Sequence, residues 1–316
     1  MRSPLRLDRS LLLPLLRRTK VVLFDADGVL WDGDVVKAGA VDTVDKLVHL
    51  GFRVGIVSNN STKSRAHYVD KCRRLGLSHF TKENVVATST VAADFVARMR
   101  EWLPHEKVYV IGETGIGEEL DELGLAHCGI GADNLSEKET ESVFPFHLEE
   151  QLDPDVRVVL VGYDAKFTFK KLTRASLYIR RGCAFVATNT DMNIRSPSGA
   201  LHPGTGCLVT AVHASTGQSA TVVGKPTGHM AAFFRRSVAT DAAHSEILMV
   251  GDRLDTDIRF GRLHEMSTLL VLEGVHSMAD VEEAVSRGDD SYVPHYVIQS
   301  LESLAPILPR SKHELE

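Results

Sequence analysis

Cysteine is scarce in this 316-residue chain: the four, Cys72, Cys128, Cys183 and Cys207, stand far apart and form no CxxC pair. That spacing excludes a disulfide framework and a zinc ribbon, and it points to a reducing compartment, the cytoplasm. Long apolar runs are missing too. The one N-terminal patch, LLLPLL at 11–16, is interrupted by Pro14 and flanked by Arg9 and Arg17, too short for a secretory segment or a membrane span. No block of basic charge occurs: Lys and Arg number 36 against 42 Asp and Glu, and the net charge of -6 is spread along the chain. Electrostatic capture of nucleic acid is therefore set aside, and no membrane partner is expected. The 14 histidines show neither HExxH nor paired metal spacing, and nothing repeats at the periods of roughly 20 to 50 residues that mark solenoids and propellers.

What is present is globular: 43% hydrophobic and 25% charged residues, in a length that suits about two domains. Short β-rich runs recur at 21–24, 54–57, 108–111, 156–161, 185–188, 221–223, 247–250, 269–272 and 296–298. Between them the apolar period turns helical, as in Ala40, Val41, Val44, Leu47 and Val48, and again in Ala92, Phe95, Val96 and Met99. Alternating strand and helix predicts an α/β fold, a doubly wound, Rossmann-like parallel sheet with right-handed crossovers. In such a sheet reactive residues gather beyond the C-terminal strand ends. Four runs deliver polar clusters there: Asp25-Ala26-Asp27-Gly28, Ser58-Asn59-Asn60-Ser61, Gly224-Lys225-Pro226, and the stretch from Gly251 to Asp257. The stretch 105–202 has strands and helices of its own but none of these clusters. It reads as an α/β domain inserted into a core of 1–104 and 203–316, with crossings at Pro104 and Pro203-Gly204.

Asp25, Asp27 and Asp252 bring three carboxylates to one rim. Two like charges 4 Å apart at an effective dielectric of 20 repel by about 4 kcal/mol, so the group needs a cation or protons. Oxygen-only ligands favour Mg²⁺. With the cation in place, Asp25 can attack phosphorus as the nucleophile, dividing a slow hydrolysis into two displacements. Asp27 can serve as general acid and then general base. Ser58, Lys225 and backbone donors of the turn at Gly28 are expected to balance phosphate charge.

The motifs DADGVLW at 25–31, SNNS at 58–61, GKP at 224–226 and GDRLDTD at 251–257 resemble, in order, the four motifs of the haloacid dehalogenase superfamily. VGYD at 161–164, ATNTD at 187–191, PGTGCLV at 203–209 and VPHY at 293–296 further resemble its p-nitrophenylphosphatase, phosphoglycolate and pyridoxal phosphate phosphatase family. The resemblance covers nearly everything after about residue 18 and makes 105–202 the cap domain. It implies that Mg²⁺ is held by the Asp25 carboxylate, the Asp27 backbone carbonyl and Asp252, that Asp257 orients that shell, and that Ser58, Asn59, Asn60 and Lys225 face phosphate. Retention of Asp27 implies phosphoryl transfer rather than dehalogenation.

The same resemblance places a substrate-contacting segment after ATNTD, at Asn193, Ile194 and Arg195. The pyridoxal phosphatase branch carries a histidine where this chain has Ile194, which favours phosphoglycolate-like substrates, with p-nitrophenyl phosphate as an artificial one. A pyridoxal phosphate or protein phosphatase of the same family is the alternative. A receiver-like phospho-acceptor module is the alternative of a different class, although it needs neither Asp27 nor an insertion of this size. The expected partner is a small phosphorylated metabolite, with a homodimer through an exposed cap strand left open. Trp31 is expected to be a packing residue.

Overall fold

The computed structural model describes residues 3–131, 149, 151–196 and 199–315. Its contacts divide the chain into two units, Met1–Ser58, Ala66–Val86 and Lys225–Glu316 in the first, Asn59–Arg65 and Ala87–Gly224 in the second. The first holds a seven-stranded sheet in the order β1 (Leu5–Arg6), β16 (Tyr296–Ile298), β15 (Ser267–Val271), β14 (Ile247–Gly251), β2 (Val21–Phe24), β5 (Arg53–Ser58), β6 (Val85–Ala87). From β1 to β5 every neighbouring pair is parallel. All four residues of β2 are buried, as a strand covered on both faces requires. The strand order switches direction at β2: the chain builds β5 and β6 on one side and returns to β14, β15 and β16 on the other. At such a switch point a parallel sheet opens a crevice beyond its strand ends.

Helices α1 (Arg9–Arg17) and α2 (Ala40–His49) precede the second unit in the chain, α3 (Arg65–Arg74) runs between its two segments, and α8 (Gly228–Ser237), α9 (Arg259–Leu263), α10 (Met278–Arg287) and α11 (Leu301–Leu304) follow it. Helix α2 buries Ala40, Thr43, Val44 and Leu47, the face its apolar period predicts. A hairpin of two-residue strands, β3 (Trp31–Asp32) and β4 (Val35–Val36), lies between β2 and α2.

The second unit has its own sheet in the order β13 (Thr221–Val222), β10 (Ala184–Ala187), β9 (Val156–Val161), β7 (Lys107–Ile111), β8 (Ala126–Cys128), all pairs parallel. It carries α4 (Thr88–Arg98), α5 (Thr114–Glu122), α6 (Phe169–Arg180) and α7 (Thr205–Thr216). Val209 and Val212 of α7 sit in one core with Ala175 and Ile179 of α6, so the unit reaches past the Pro203-Gly204 crossing expected from sequence. The run 221–223 also differs from expectation. It pairs with β10 in this second sheet instead of joining the first, because Val223 N–H continues the ladder to Ala187 O at 3.0 Å. The short antiparallel pair β11 (Asn193–Arg195) and β12 (Leu201–Pro203) completes the unit. Among the described residues no helix is long and apolar enough to cross a membrane.

Candidate active site

Strand β2 ends on Asp25, whose N–H still reaches Val250 O at 2.9 Å and so carries the ladder one step beyond the strand. Strand β14 ends at Gly251 and places Asp252 next to it in the chain. A wide turn follows, with Ile258 N–H donating to Arg253 O five residues back. This turn brings Asp257 back so that its Oδ2 accepts from the N–H groups of Asp252 and Arg253, each at 3.1 Å. Lys225 completes the cluster. Its ammonium donates to Asp25 Oδ1 at 2.6 Å, Asp257 Oδ1 at 2.6 Å and Val57 O at 2.7 Å, one for each of its three protons.

Burial governs the electrostatics. It pulls the Lys225 ammonium downward, but Asp25 and Asp257 together outweigh it and hold the group above the ordinary lysine value. Burial pushes Asp25 well above the carboxylate range; Lys225 opposes this, while Asp257 and Asp252 add to it. Asp252 is pushed up to about 7 by burial first and by Asp257 second, against the pull of the Val275 N–H. Among the described residues Asp25, Asp252 and Asp257 bring carboxylate oxygens within 4.8 Å of one another, enough to hold a metal ion. Asp257 has both oxygens engaged, whereas Asp252 Oδ1 is buried without any hydrogen-bond partner. No hydrogen bond among the described residues reaches Asp25 Oδ2. A hard divalent cation fits these oxygens, and an orphaned buried carboxylate oxygen calls for either a cation or a proton.

The other expected site residues divide. Asp27 is exposed and stands outside the carboxylate cluster, its Oδ1 accepting from the Trp31 indole at 2.9 Å. Gly28 adopts φ +90°, and a Cβ there would lie 2.3 Å from Asp252 Oδ2, so only glycine lets the turn approach that carboxylate. Its N–H, expected to face phosphate, instead donates to Trp31 O at 2.8 Å and closes the turn. Ser58 is buried and accepts from the Tyr68 hydroxyl at 3.1 Å. Asn59 belongs to the second unit, where its amide donates to both carboxylate oxygens of Asp191 at 3.2 Å. Asn60 Oδ1 accepts from Thr62 N–H at 3.0 Å and Thr62 Oγ1 at 2.8 Å, the geometry of a turn-forming side chain. Asn193, Ile194 and Arg195 form β11, exposed along its length.

Sequence reasoning missed Tyr68 and Lys71 altogether and gave Trp31 too small a part. Trp31 is fully buried, with the Tyr68 ring 6.1 Å away and Lys71 Nζ 4.5 Å from its ring centre. The four-residue spacing from Asp27 to Trp31 was the available signal. Nothing in the sequence marks Tyr68 or Lys71, which depend on how α3 lies against the turn.

A doubly wound parallel sheet whose switch-point strand ends in an aspartate clamped by a buried lysine, with further carboxylates alongside, is the architecture of a hydrolase of the α/β class. The chain belongs to the haloacid dehalogenase-like hydrolases, whose family profile matches residues 22–126, and a second, HAD-hydrolase-like profile matches 222–304. It is 34% identical to a human glycerol-3-phosphate phosphatase over 93% of this chain and 92% of that protein. It is 36% identical to phosphoglycolate phosphatase 2 of Arabidopsis thaliana over 92% and 95% of the two chains. Among solved structures, a p-nitrophenyl phosphatase from Archaeoglobus fulgidus superposes with a TM-score of 0.75 at 28% identity, covering 92% of this chain and 99% of that one. A glycerol phosphate phosphatase from Mycobacterium tuberculosis, solved with magnesium, gives 0.71 at 26% identity, covering 95% and 79%.

Proposed function

We propose that this protein is a Mg²⁺-dependent phosphomonoesterase that hydrolyses small phosphorylated metabolites through a phosphoryl group carried on Asp25. The observation that carries this reading is the Lys225 ammonium bonded at 2.6 Å to Asp25 beside the unpartnered Asp252 Oδ1. Lys225 donates to Asp25 Oδ1 and in this reading fixes the orientation of the attacking carboxylate. In the first displacement an Asp25 carboxylate oxygen bonds to phosphorus, the bond from phosphorus to the leaving oxygen breaks, and Asp27 gives that oxygen its proton. In the second, Asp27 takes a proton from water, the water oxygen bonds to phosphorus, and phosphate leaves as the Asp25 carboxylate is restored. Ser58 holds phosphate oxygens, with the Tyr68 hydroxyl fixing its side chain.

Asp25, Asp252 and the Asp27 main-chain carbonyl would hold the cation. When bound, it supplies charge neutralisation to the carboxylates and the phosphate oxygens. Retention of Asp27 speaks against a receiver-like module, which has no leaving group to protonate. In this reading the second unit, which contains residues 105–202, supplies leaving-group specificity through Asn193, Ile194 and Arg195. An aliphatic Ile194 supports a small aliphatic phosphate ester over pyridoxal phosphate. Residence in the cytoplasm is supported by four cysteines that form no disulfide.

A panel of purified-enzyme assays tests the reading. Phosphoglycolate, glycerol 3-phosphate and p-nitrophenyl phosphate are expected to turn over with Mg²⁺ and to stop with chelator, and pyridoxal phosphate to have the lowest kcat/KM. Turnover that survives chelation overturns the cation assignment. A preference for pyridoxal phosphate overturns the role of Ile194.

A further inference from the structure

We propose that Trp31 is a positioning residue for Asp27, held in that role by Tyr68 and Lys71 of α3; the inference rests on the phosphomonoesterase reading, in which Asp27 protonates the leaving group. Asp27 is exposed on a turn, where an aspartate ordinarily rotates among several rotamers. Here the indole N–H of a fully buried ring donates to its Oδ1 at 2.9 Å. The main chain ties the same two residues through a bridge between Asp27 and Trp31 and through Gly28 N–H to Trp31 O at 2.8 Å. With Oδ1 fixed from inside the protein, the plane of the carboxyl group is fixed, and so is the direction in which its proton is presented.

The ring itself is held from α3. Tyr68 packs against it at 6.1 Å with planes tilted by 43°, and Lys71, one turn further along the helix, sets its ammonium 4.5 Å from the ring centre. A cation over the indole face draws electron density toward itself and makes the N–H a stronger donor. Packing alone does not require tryptophan, since phenylalanine also fills an apolar pocket; the N–H is what tryptophan adds, and it meets the carboxylate. Tyr68 also donates to Ser58 Oγ at 3.1 Å, so the helix that braces Trp31 braces the phosphate residue as well.

The experiment compares kcat on phenyl phosphate, whose leaving group needs a proton, with kcat on p-nitrophenyl phosphate, whose leaving group needs one far less. The variants are Trp31→Phe, Asp27→Asn, their double mutant, and a protein in which residue 31 is 3-benzothienylalanine. That last variant keeps the ring volume and removes only the N–H, so it decides the matter if Trp31→Phe does not fold. General acid catalysis contributes about 10² to 10⁴-fold, and loss of orientation is expected to cost about tenfold on phenyl phosphate and less than about threefold on p-nitrophenyl phosphate. KM should be unchanged, and the double mutant should be no slower than Asp27→Asn. Equal losses on the two esters, or a further full loss in the Asp27→Asn background, overturn the role of Trp31 and leave the phosphatase reading standing. If the native protein hydrolyses neither ester, or Asp27→Asn does not discriminate between them, the reading itself falls and takes this inference with it.

Discussion

Lys225 is the residue on which the site's charge balance turns. It is buried with Asp25 and Asp257 on either side, and each of its protons has an acceptor. Replacing it by methionine removes the one positive charge that, among the described residues, forms an ion pair with those two carboxylates, and leaves them facing each other away from water. Breaking a buried pair in this way costs about 3 to 5 kcal/mol, so Lys225→Met should lose that much stability in urea unfolding of the metal-free protein; a loss below about 1 kcal/mol would contradict the clamp. Asp25→Asn is milder for the fold and harsher for function, with turnover falling by roughly 10³-fold or more while the folded protein persists. The meeting of Asp25 and Asp252 was legible in the sequence because the ends of neighbouring strands in one sheet fix where a side chain emerges. Gly28 and Asn60 were not, because their expected phosphate contacts depended on hydrogen bonds that the turns make for themselves, to Trp31 O and to Thr62. Trp31 was legible as buried but not as a donor, since the direction of its N–H depends on the Asp27 turn.

At the scale of the element, the turn after β2 is adjusted to Asp252. Gly28→Ala forces a methyl group to 2.3 Å from Asp252 Oδ2 at a backbone φ of +90°, and both the clash and the strain displace that carboxylate. The expected result is a weaker apparent affinity for Mg²⁺ in activation curves, with the variant's rate partly recovered at high Mg²⁺. An unchanged activation curve would contradict the contact. The sheet edge offers a second test. His295, just before β16, places Nε2 within 2.7 Å of Arg262 Nη1 and Nδ1 within 2.9 Å of Thr268 Oγ1. Burial and the nearby Arg262 and Arg18 lower its value from 6.5 to about 4. Because the folded value lies below the unfolded one, the stability this ring contributes is present above about pH 6.5 and lost as pH falls through about 4. An NMR titration of the ring should show that low midpoint; a midpoint near 6.5 contradicts the packing. Strands β2, β9 and β16 match their apolar runs residue for residue. The pairs β3 with β4 and β11 with β12 were not legible, since two or three residues carry no period. Nor could the run 221–223 reveal its sheet, because strand partners are chosen by neighbours and not by the strand's own residues.

For the whole molecule, the succession of β and α runs was enough to give the doubly wound core, while the limits of the second unit were not visible. Pro203-Gly204 resembles a crossing, yet it only opens α7, whose Val209 and Val212 belong to the second core. Cation binding and stability are linked across the fold. Asp252 sits at about 7 in the metal-free protein against an ordinary 3.8, so its contribution to stability is full below about pH 3.8 and is lost as pH rises through about 7. A cation that binds the ionised carboxylate restores that loss, so Mg²⁺ should raise Tm more at about pH 8 than at about pH 5. Equal shifts at both would mean that Asp252 is not a ligand. The most direct test of the central claim is acid quenching of the enzyme during turnover of ³²P-labelled substrate, followed by peptide mapping. The account predicts a phosphoryl group that is stable in acid, labile to hydroxylamine and attached to Asp25, and none in Asp25→Asn. Steady turnover with no label on the protein, or label on any other residue, would contradict it.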